Sequence, residues 1–174
     1  MSDPVACIVG WPVRYSRSPV IHRFWLKQHG LAGDYVIHPV EPEAAAAFFA
    51  GFAAGPFVGC NVTVPHKEVA FAAVDEIEPA GRAIGAVNTI WRDGGRLVAT
   101  STDGIGFLGS LDDGAPGWSR TPGPAVVLGA GGAARAVVWA LVERGFAPVH
   151  VVNRSVDRAE ALAARFGPAV RAAG

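Results

Sequence analysis

Short apolar segments alternate with segments of helical periodicity along most of this 174-residue chain. Residues 5–9, 35–40 and 57–63 have the apolar composition of strands, and helical segments that begin near Ser18 and Pro42 lie between them. Alternation of this kind favours a parallel sheet with helices packed on its faces. The sequence therefore predicts an α/β fold with a mostly parallel sheet.

A hairpin and a glycine-rich break divide the chain. Residues 86–91 and 96–100 flank the turn sequence Asp-Gly-Gly, which predicts an antiparallel pair of strands. Residues 112–124 are rich in Gly, Pro and Asp and interrupt all periodicity before a new apolar strand starts. We predict a first domain over residues 1–102 and the incomplete beginning of a second over residues 103–174.

The composition limits the classes of partner. Fifteen basic residues balance fifteen acidic ones and 51% of the residues are hydrophobic, which predicts a packed core and no net field to attract nucleic acid or an anionic membrane. Residues 44–66 carry no Asp, Glu, Lys or Arg, but Gly and Pro interrupt this run, so a membrane span is disfavoured. We expect a cytoplasmic protein without metal, in which Cys7 and Cys60 are reduced structural thiols.

The sequence NVTVPHK, at residues 61–67, carries polar residues that core packing does not require. In a strand its two valines face one way, and Asn61 and Thr63 face the other. Pro65 suits the first position of a helix, which would place Lys67 in the first turn, where the helix dipole disfavours a cation. These positions predict a polar ligand beside the strand and a functional role for Lys67.

Hydroxyl and carboxyl groups stand at the start of two further predicted helices. Ser16 and Ser18 precede the first of these helices, where hydroxyls and backbone N–H groups suit a small organic carboxylate. Ser18 followed by Pro19 is equally typical of a simple helix cap. Asp103 begins a short helix, and for this residue too capping and a functional role stay open as alternatives.

The sequence GAGGAA follows the predicted strand 125–128 and precedes a helix. Small residues there allow a pyrophosphate to approach the backbone, while the helix start presents N–H groups to it. The next predicted strand ends at Val152, and no acidic residue of the kind that NAD sites favour follows it. Arg154 stands there instead and suits a 2′-phosphate, so we predict NADP as the cofactor. The predicted cofactor residues are Gly129, Ala130, Gly131, Gly132, Ala133, Asn153, Arg154 and Ser155.

Taken together, these segments resemble the shikimate dehydrogenase family over essentially the whole chain. The similar sequences, in the family's order, are VGWPVRYSRSPVIH (9–22), NVTVPHK (61–67), IGAVNTI (84–90), TDGIGF (102–107), GAGGAARA (129–136) and NRS (153–155). The resemblance implies a shikimate-binding α/β domain followed by part of a Rossmann-type NADP-binding domain. It also implies the reversible NADPH-dependent reduction of 3-dehydroshikimate to shikimate, on the route to chorismate and the aromatic amino acids.

Carried over position by position, the resemblance implies a catalytic pair and a polar substrate site. Lys67 and Asp103 would be the catalytic pair beside the oxygen that changes between carbonyl and alcohol. The implied substrate residues are Ser16, Ser18 and Thr63 at the carboxylate, and Asn61 and Asn88 at ring hydroxyls. His66 matches no catalytic position of the family, and we expect it to be structural.

Some positions and the chain length depart from the family pattern. Tyr15, Arg23 and Ser101 replace residues that are usual in the family, and family members continue beyond the equivalent of Gly174, so we expect a fragment. Two alternatives stay open: a quinate/shikimate dehydrogenase that uses NAD or NADP, and a noncatalytic module that binds shikimate or quinate. We expect a small-molecule substrate, no nucleic-acid partner, and a monomer or homodimer.

Overall fold

The computed structural model describes residues 3–173, so the predicted domain limits at residues 1 and 174 lie outside the described residues. The chain divides into two compact units, Met1–Ser101 and Thr102–Gly174. Each unit has a sheet of its own. The two units are therefore described separately.

A six-stranded sheet forms the centre of the first unit. Its strands are β1 (Val5–Gly10), β2 (Asp34–Pro39), β3 (Gly59–Val62), β4 (Glu76–Ile77), β5 (Thr89–Asp93) and β6 (Arg96–Thr100). They lie in the order β2-β1-β3-β5-β6-β4. β1 is parallel to both neighbours, and β5 is antiparallel to β3 and β6. The predicted mostly parallel sheet with an antiparallel hairpin is confirmed.

Helices of the first unit pack on both faces of this sheet. They are α1 (Ser18–Gln28), α2 (Ala45–Ala50), α3 (Lys67–Ala73) and α4 (Pro79–Ile84). Cys7 and Val9 of β1 share a core with Phe49 of α2. Ile8 packs with Tyr35 of β2, and His22 of α1 stacks on the Tyr35 ring. Because successive residues of a strand point to opposite faces, α2 and α1 lie on opposite sides of the sheet.

Several elements of the first unit differ from the prediction. The predicted second helix is interrupted: 3-10 turns at Pro42–Ala44 and Phe52–Ala54 flank a six-residue α2. β4 and α4 were not predicted. A two-residue strand is too short to show periodicity, but α4 carries a start and stop signal, because it begins with proline and is followed by the left-handed Gly85.

The second unit is a three-stranded parallel sheet with helices. Its elements are α5 (Asp103–Gly114), β7 (Ala125–Leu128), α6 (Gly132–Glu143), β8 (Val149–Val152), α7 (Val156–Phe166) and β9 (Val170–Ala173). The strands lie in the order β7-β8-β9 and are parallel. This is the strand order of one half of a Rossmann-type fold, as expected, although β9 was not predicted.

Candidate active site

Three of the predicted substrate residues border one cavity of the first unit. Ser16, Ser18 and Thr63 line an open cavity of about 240 Å³, called here the hydroxyl cavity. The loops that carry these residues follow β1 and β3, and the Trp11 N–H joins them by donating to the Val64 carbonyl at 3.0 Å. The hydroxyl groups around this opening can turn to donate hydrogen bonds to a small anion.

The close approach of these two loops depends on a glycine. A Cβ atom at Gly10, the last residue of β1, would collide with Cγ2 of Thr63 and would lie 2.9 Å from the Val64 carbonyl oxygen. Even alanine at this position would push the loop of Thr63 away. The absence of a side chain at Gly10 therefore allows Thr63 and Val64 to pack against the end of β1.

Ser16 and Ser18 are hydrogen-bonded to each other at the start of α1. The Ser18 N–H donates to Ser16 Oγ at 3.2 Å, and the Ser16 hydroxyl donates to Ser18 Oγ at 3.1 Å. Arg17 occupies the cap position and Ser18 is the first helical residue. The alternative that Ser18 is the helix cap is therefore wrong, and its hydroxyl lies at the hydroxyl cavity instead.

Asn61 and Asn88 lie beside each other, although 27 positions separate them in the sequence. The Asn61 side-chain amide donates to the Asn88 carbonyl at 3.3 Å, and the Val62 N–H donates to the same carbonyl at 2.8 Å. Asn88 precedes β5, which runs antiparallel to β3. The start of β5 therefore lies at the edge where β3 ends.

Two neighbours of Asn61 were not predicted as site residues. The Tyr35 hydroxyl donates to Asn61 Oδ1 at 2.6 Å, and Asn61 Nδ2 donates to Thr89 Oγ1 at 3.1 Å. Tyr35 stands in an apolar strand sequence, where a tyrosine is expected to belong to the core. Only the register of the strands could have shown that Tyr35 and Thr89 lie next to Asn61.

Lys67 and Asp103 are each the first residue of a helix. Lys67 begins α3, and its carbonyl accepts a 3.1 Å hydrogen bond from the Val87 N–H, which ties α3 to the segment before Asn88. Pro65 lies in the turn before α3, so the expectation that it opens the helix is wrong. Asp103 begins α5 in the second unit. The pairing of Lys67 with Asp103 stays a prediction.

His66 is a buried residue beside the candidate site. Its side chain is 1% exposed, and Nε2 lies 2.7 Å from the Val40 carbonyl oxygen. A carbonyl can only accept, so Nε2 carries the proton and donates. This contact ties the start of α3 to the end of β2, which is the structural role that we expected of His66.

We expect His66→Leu to lower the free energy of unfolding by about 1–3 kcal/mol, because the buried Val40 carbonyl would lose its side-chain donor. Urea denaturation of the first unit measures this change. His29→Leu is the matched control, since His29 is exposed, and we expect an effect within about 0.5 kcal/mol. Equal losses in the two variants would contradict the role of His66.

The glycine loop of the second unit, residues 129–134, lies at the carboxyl edge of its sheet. Leu128 of β7 pairs with Val152 of β8, and the Gly129 N–H donates to the Val152 carbonyl at 2.8 Å. Gly129 has a φ of +108°, which disfavours any side chain there. A Cβ at Gly131, the cap of α6, would meet no atom within 4 Å among the described residues. The loop is therefore open to a phosphate group.

The three residues after β8 stand at the same edge as the glycine loop. The Asn153 side-chain amide donates to the Ser155 carbonyl at 2.8 Å, which holds the turn, and Ser155 caps α7. Arg154 is exposed between them. An exposed guanidinium beside a helix start fits a phosphate, so these residues and the glycine loop together suit a phosphorylated dinucleotide.

The two cysteines are free and buried. Cys7 of β1 and Cys60 of β3 are neighbours in register. A hydrogen bond to Cys7 and burial raise the pKa of the Cys60 thiol, which therefore stays protonated. This fits the expected structural role and disfavours Cys60 as a nucleophile.

Two kinds of site are absent from residues 3–173. Within these residues, no helix combines the length and apolarity that a membrane crossing requires. Over the same residues, His, Cys, Asp and Glu form no group of three or more that could hold a metal ion.

The fold and the glycine loop place the chain among two-unit α/β proteins with a Rossmann-type second unit. Two family models match it: the shikimate dehydrogenase substrate binding domain at residues 8–90, and shikimate / quinate 5-dehydrogenase at residues 121–173. The chain belongs to the shikimate dehydrogenase family. The predicted family membership is confirmed.

Curated relatives and solved structures agree with this assignment. Shikimate dehydrogenase (NADP(+)) from Azorhizobium caulinodans is 57% identical over 163 residues, which are 94% of this chain and 58% of the relative. Shikimate 5-dehydrogenase from Thermus thermophilus, solved in complex with NADP(H) and shikimate, is 42% identical with a TM-score of 0.82, over 98% of this chain and 63% of that one. The Aquifex aeolicus shikimate dehydrogenase is 36% identical with a TM-score of 0.87, and the match covers 99% of this chain and 63% of that one.

These matches cover only part of each relative. The chain spans 58% of the length of the Azorhizobium caulinodans relative. The substrate and cofactor of that enzyme are therefore carried to this chain only as a proposal.

Proposed function

We propose that this chain supplies the substrate-binding unit and the first part of the cofactor unit of an NADP-dependent shikimate dehydrogenase. The observation that carries the proposal is the hydroxyl cavity, in which Ser16, Ser18 and Thr63 converge. Neutral hydroxyls at the start of α1 suit a carboxylate, and shikimate carries one carboxylate and three ring hydroxyls. The amides of Asn61 and Asn88, on the same unit, suit the ring hydroxyls.

Lys67 and Asp103 are the proposed residues at the reacting oxygen. The chemistry that NADP supplies when bound is the transfer of hydride to or from the substrate carbon. The Lys67 ammonium stabilises negative charge on the reacting oxygen and can donate the proton that completes the alcohol. The Asp103 carboxylate would accept a hydrogen bond from the reacting hydroxyl.

The proposed cofactor site uses both parts of the carboxyl edge of the second sheet. The glycine loop, with Gly129, Ala130, Gly131, Gly132 and Ala133, would hold the pyrophosphate through backbone N–H groups at the start of α6. Asn153, Arg154 and Ser155 would hold the 2′-phosphate of the adenosine ribose, because a guanidinium binds phosphate through two parallel hydrogen bonds.

Assays with two substrates and two cofactors test the proposal. The 174-residue chain and the longest product of its coding sequence are compared with shikimate or quinate, and with NADP or NAD. We expect oxidation of shikimate with NADP by the longer product. Preferred oxidation of quinate, or binding of shikimate without turnover in that product, would overturn the proposed activity in favour of the two alternatives.

Removal of a single hydroxyl tests the carboxylate site. We expect Ser18→Ala to raise the KM for shikimate about 10- to 100-fold with a much smaller change in kcat, because a hydrogen bond to a charged group is lost before and during the reaction alike. Steady-state kinetics measure both constants. Ser110→Ala, at an exposed position of α5, is the control, and equal KM values for the two variants would contradict the assignment.

A further inference from the structure

Tyr35 is a buried phenol that contacts Asn61, one of the proposed substrate residues. Its side chain is 3% exposed, and its hydroxyl donates to Asn61 Oδ1 at 2.6 Å. Burial raises the pKa of Tyr35 well above its ordinary value, so the phenol keeps its proton at neutral pH. The hydroxyl therefore remains a hydrogen-bond donor to Asn61.

A second hydroxyl meets the phenol oxygen. A hydrogen bond between the Ser18 and Tyr35 hydroxyls partly offsets the effect of burial on the pKa of Tyr35. The Ser16 hydroxyl in turn donates to Ser18 Oγ at 3.1 Å. The two serines proposed for the carboxylate are thus joined to Tyr35, and through it to Asn61.

The chain of hydrogen bonds continues on the other side of Asn61. Asn61 Nδ2 donates to Thr89 Oγ1 at 3.1 Å, and the Thr89 hydroxyl donates to Asn88 Oδ1 at 2.9 Å. From Tyr35 onward every link has the same direction, through Asn61 and Thr89 to Asn88. The Thr89 hydroxyl accepts from Asn61 and donates to Asn88, so no link conflicts with another.

The direction of this series of hydrogen bonds determines how the side-chain amides of Asn61 and Asn88 are oriented. A side-chain amide can be turned by 180° with little change in shape, so hydrogen-bond partners determine which end is oxygen. Because the Tyr35 hydroxyl donates, it fixes Oδ1 of Asn61 on its own side and Nδ2 on the side of Thr89. Thr89 then fixes Oδ1 of Asn88 toward itself.

The ring of Tyr35 is held in place by a neighbouring ring. His22 of α1 stacks on it with ring centroids 4.0 Å apart and an angle of 7° between the planes. Burial lowers the pKa of His22, so this imidazole is neutral at pH 7. The phenol is thus confined by stacking on its face and by hydrogen bonds at its hydroxyl.

We propose that Tyr35 is a positioning residue that orients Asn61 and, through Thr89, Asn88, so that a buried phenol sets how the amides for the ring hydroxyls face. The proposal rests on the proposed function for the identity of the ligand. Tyr35 touches neither ligand nor cofactor in this scheme, and it acts through the residues that do.

Tyr35→Phe removes the hydroxyl and keeps the stacked ring. In the product active on shikimate, we expect the KM for shikimate to rise about 5- to 15-fold, with a much smaller change in kcat and in the KM for NADP. Ser101→Ala is the matched control, because it also removes a buried hydroxyl of the first unit, one without a hydrogen-bond partner among the described residues. An equal rise in KM in both variants would overturn the proposal.

A double-mutant cycle separates positioning from general stability. If Tyr35 acts through Asn61, Tyr35→Phe raises the KM for shikimate by a clearly smaller factor in the Asn61→Ala background than in the wild type, because the orientation of Asn61 is already lost there. An equal factor in both backgrounds would overturn the proposal. Thr89→Val breaks the next link, and we expect a rise in the KM for shikimate here as well.

An NMR measurement on the free protein is independent of the substrate. We expect the side-chain amide resonances of Asn61 to shift in Tyr35→Phe and to stay unchanged in Ser101→Ala. Unchanged resonances in Tyr35→Phe would overturn the positioning role alone. If the longest wild-type product instead neither binds nor oxidises shikimate, the proposed function fails, whatever the Asn61 resonances do.

Discussion

Lys67→Ala is expected to lower kcat for shikimate oxidation about 10²- to 10⁴-fold, which is the range for loss of one preorganised donor or proton-transfer group. The KM for shikimate should change far less, because the ammonium acts mainly on charge that develops at the reacting oxygen. The position supports this role: Lys67 begins α3, where the helix dipole disfavours a cation. Steady-state kinetics in both reaction directions measure the effect.

The control for this experiment is another lysine near a helix end. Lys27, in the last turn of α1, is exposed, and Lys27→Ala should leave kcat unchanged. Lys67→Arg separates the two proposed roles, because arginine keeps the charge but does not release a proton. An unchanged kcat in Lys67→Ala would remove Lys67 from the catalytic pair.

Arg154→Ala is expected to raise the KM for NADP about 10- to 100-fold and to leave the KM for NAD nearly unchanged, because only NADP carries the phosphate that the guanidinium would hold. The exposed position of Arg154 after β8, at the edge of the glycine loop, supports this expectation. The ratio of kcat/KM for the two cofactors is the quantity to measure.

Arg120→Ala serves as the control for cofactor choice, since Arg120 is an exposed arginine of the same unit. Its ratio of kcat/KM for the two cofactors should equal that of the wild type. If Arg154→Ala lowers kcat/KM for NADP and for NAD by the same factor, a contact with the 2′-phosphate is contradicted. Such a result would indicate a general loss of the cofactor site.

The elements with a clear periodicity could be predicted from the sequence. The buried run of β1, the hairpin of β5 and β6, and the strand before the glycine loop lie where the pattern placed them. β9 was missed because Val170–Ala173 is short and carries little alternation. Local patterns predict an element only when it is long enough to repeat them.

The candidate site was predictable in its residues and not in its connections. Ser16, Ser18 and Thr63 could be expected to bind one ligand, because the resemblance to the family implies that all three lie at the carboxylate. The link through Tyr35 could not, since it depends on the pairing of β1 with β2 and β3, which no local motif encodes. Sequence motifs thus point to the groups that face a ligand, while the groups behind them depend on register.

The reversed direction of β5 has a practical consequence for labelling this protein. β5 starts beside Asn88 and runs away from the proposed site, so the turn at Gly94 and Gly95 lies at the opposite end of the hairpin. Both glycines have a positive φ, and a Cβ at either would meet no atom within 4 Å among the described residues. A short peptide tag inserted between them, or a fluorophore attached to a residue inserted there, would lie at the far edge of the sheet and would not contact the hydroxyl cavity.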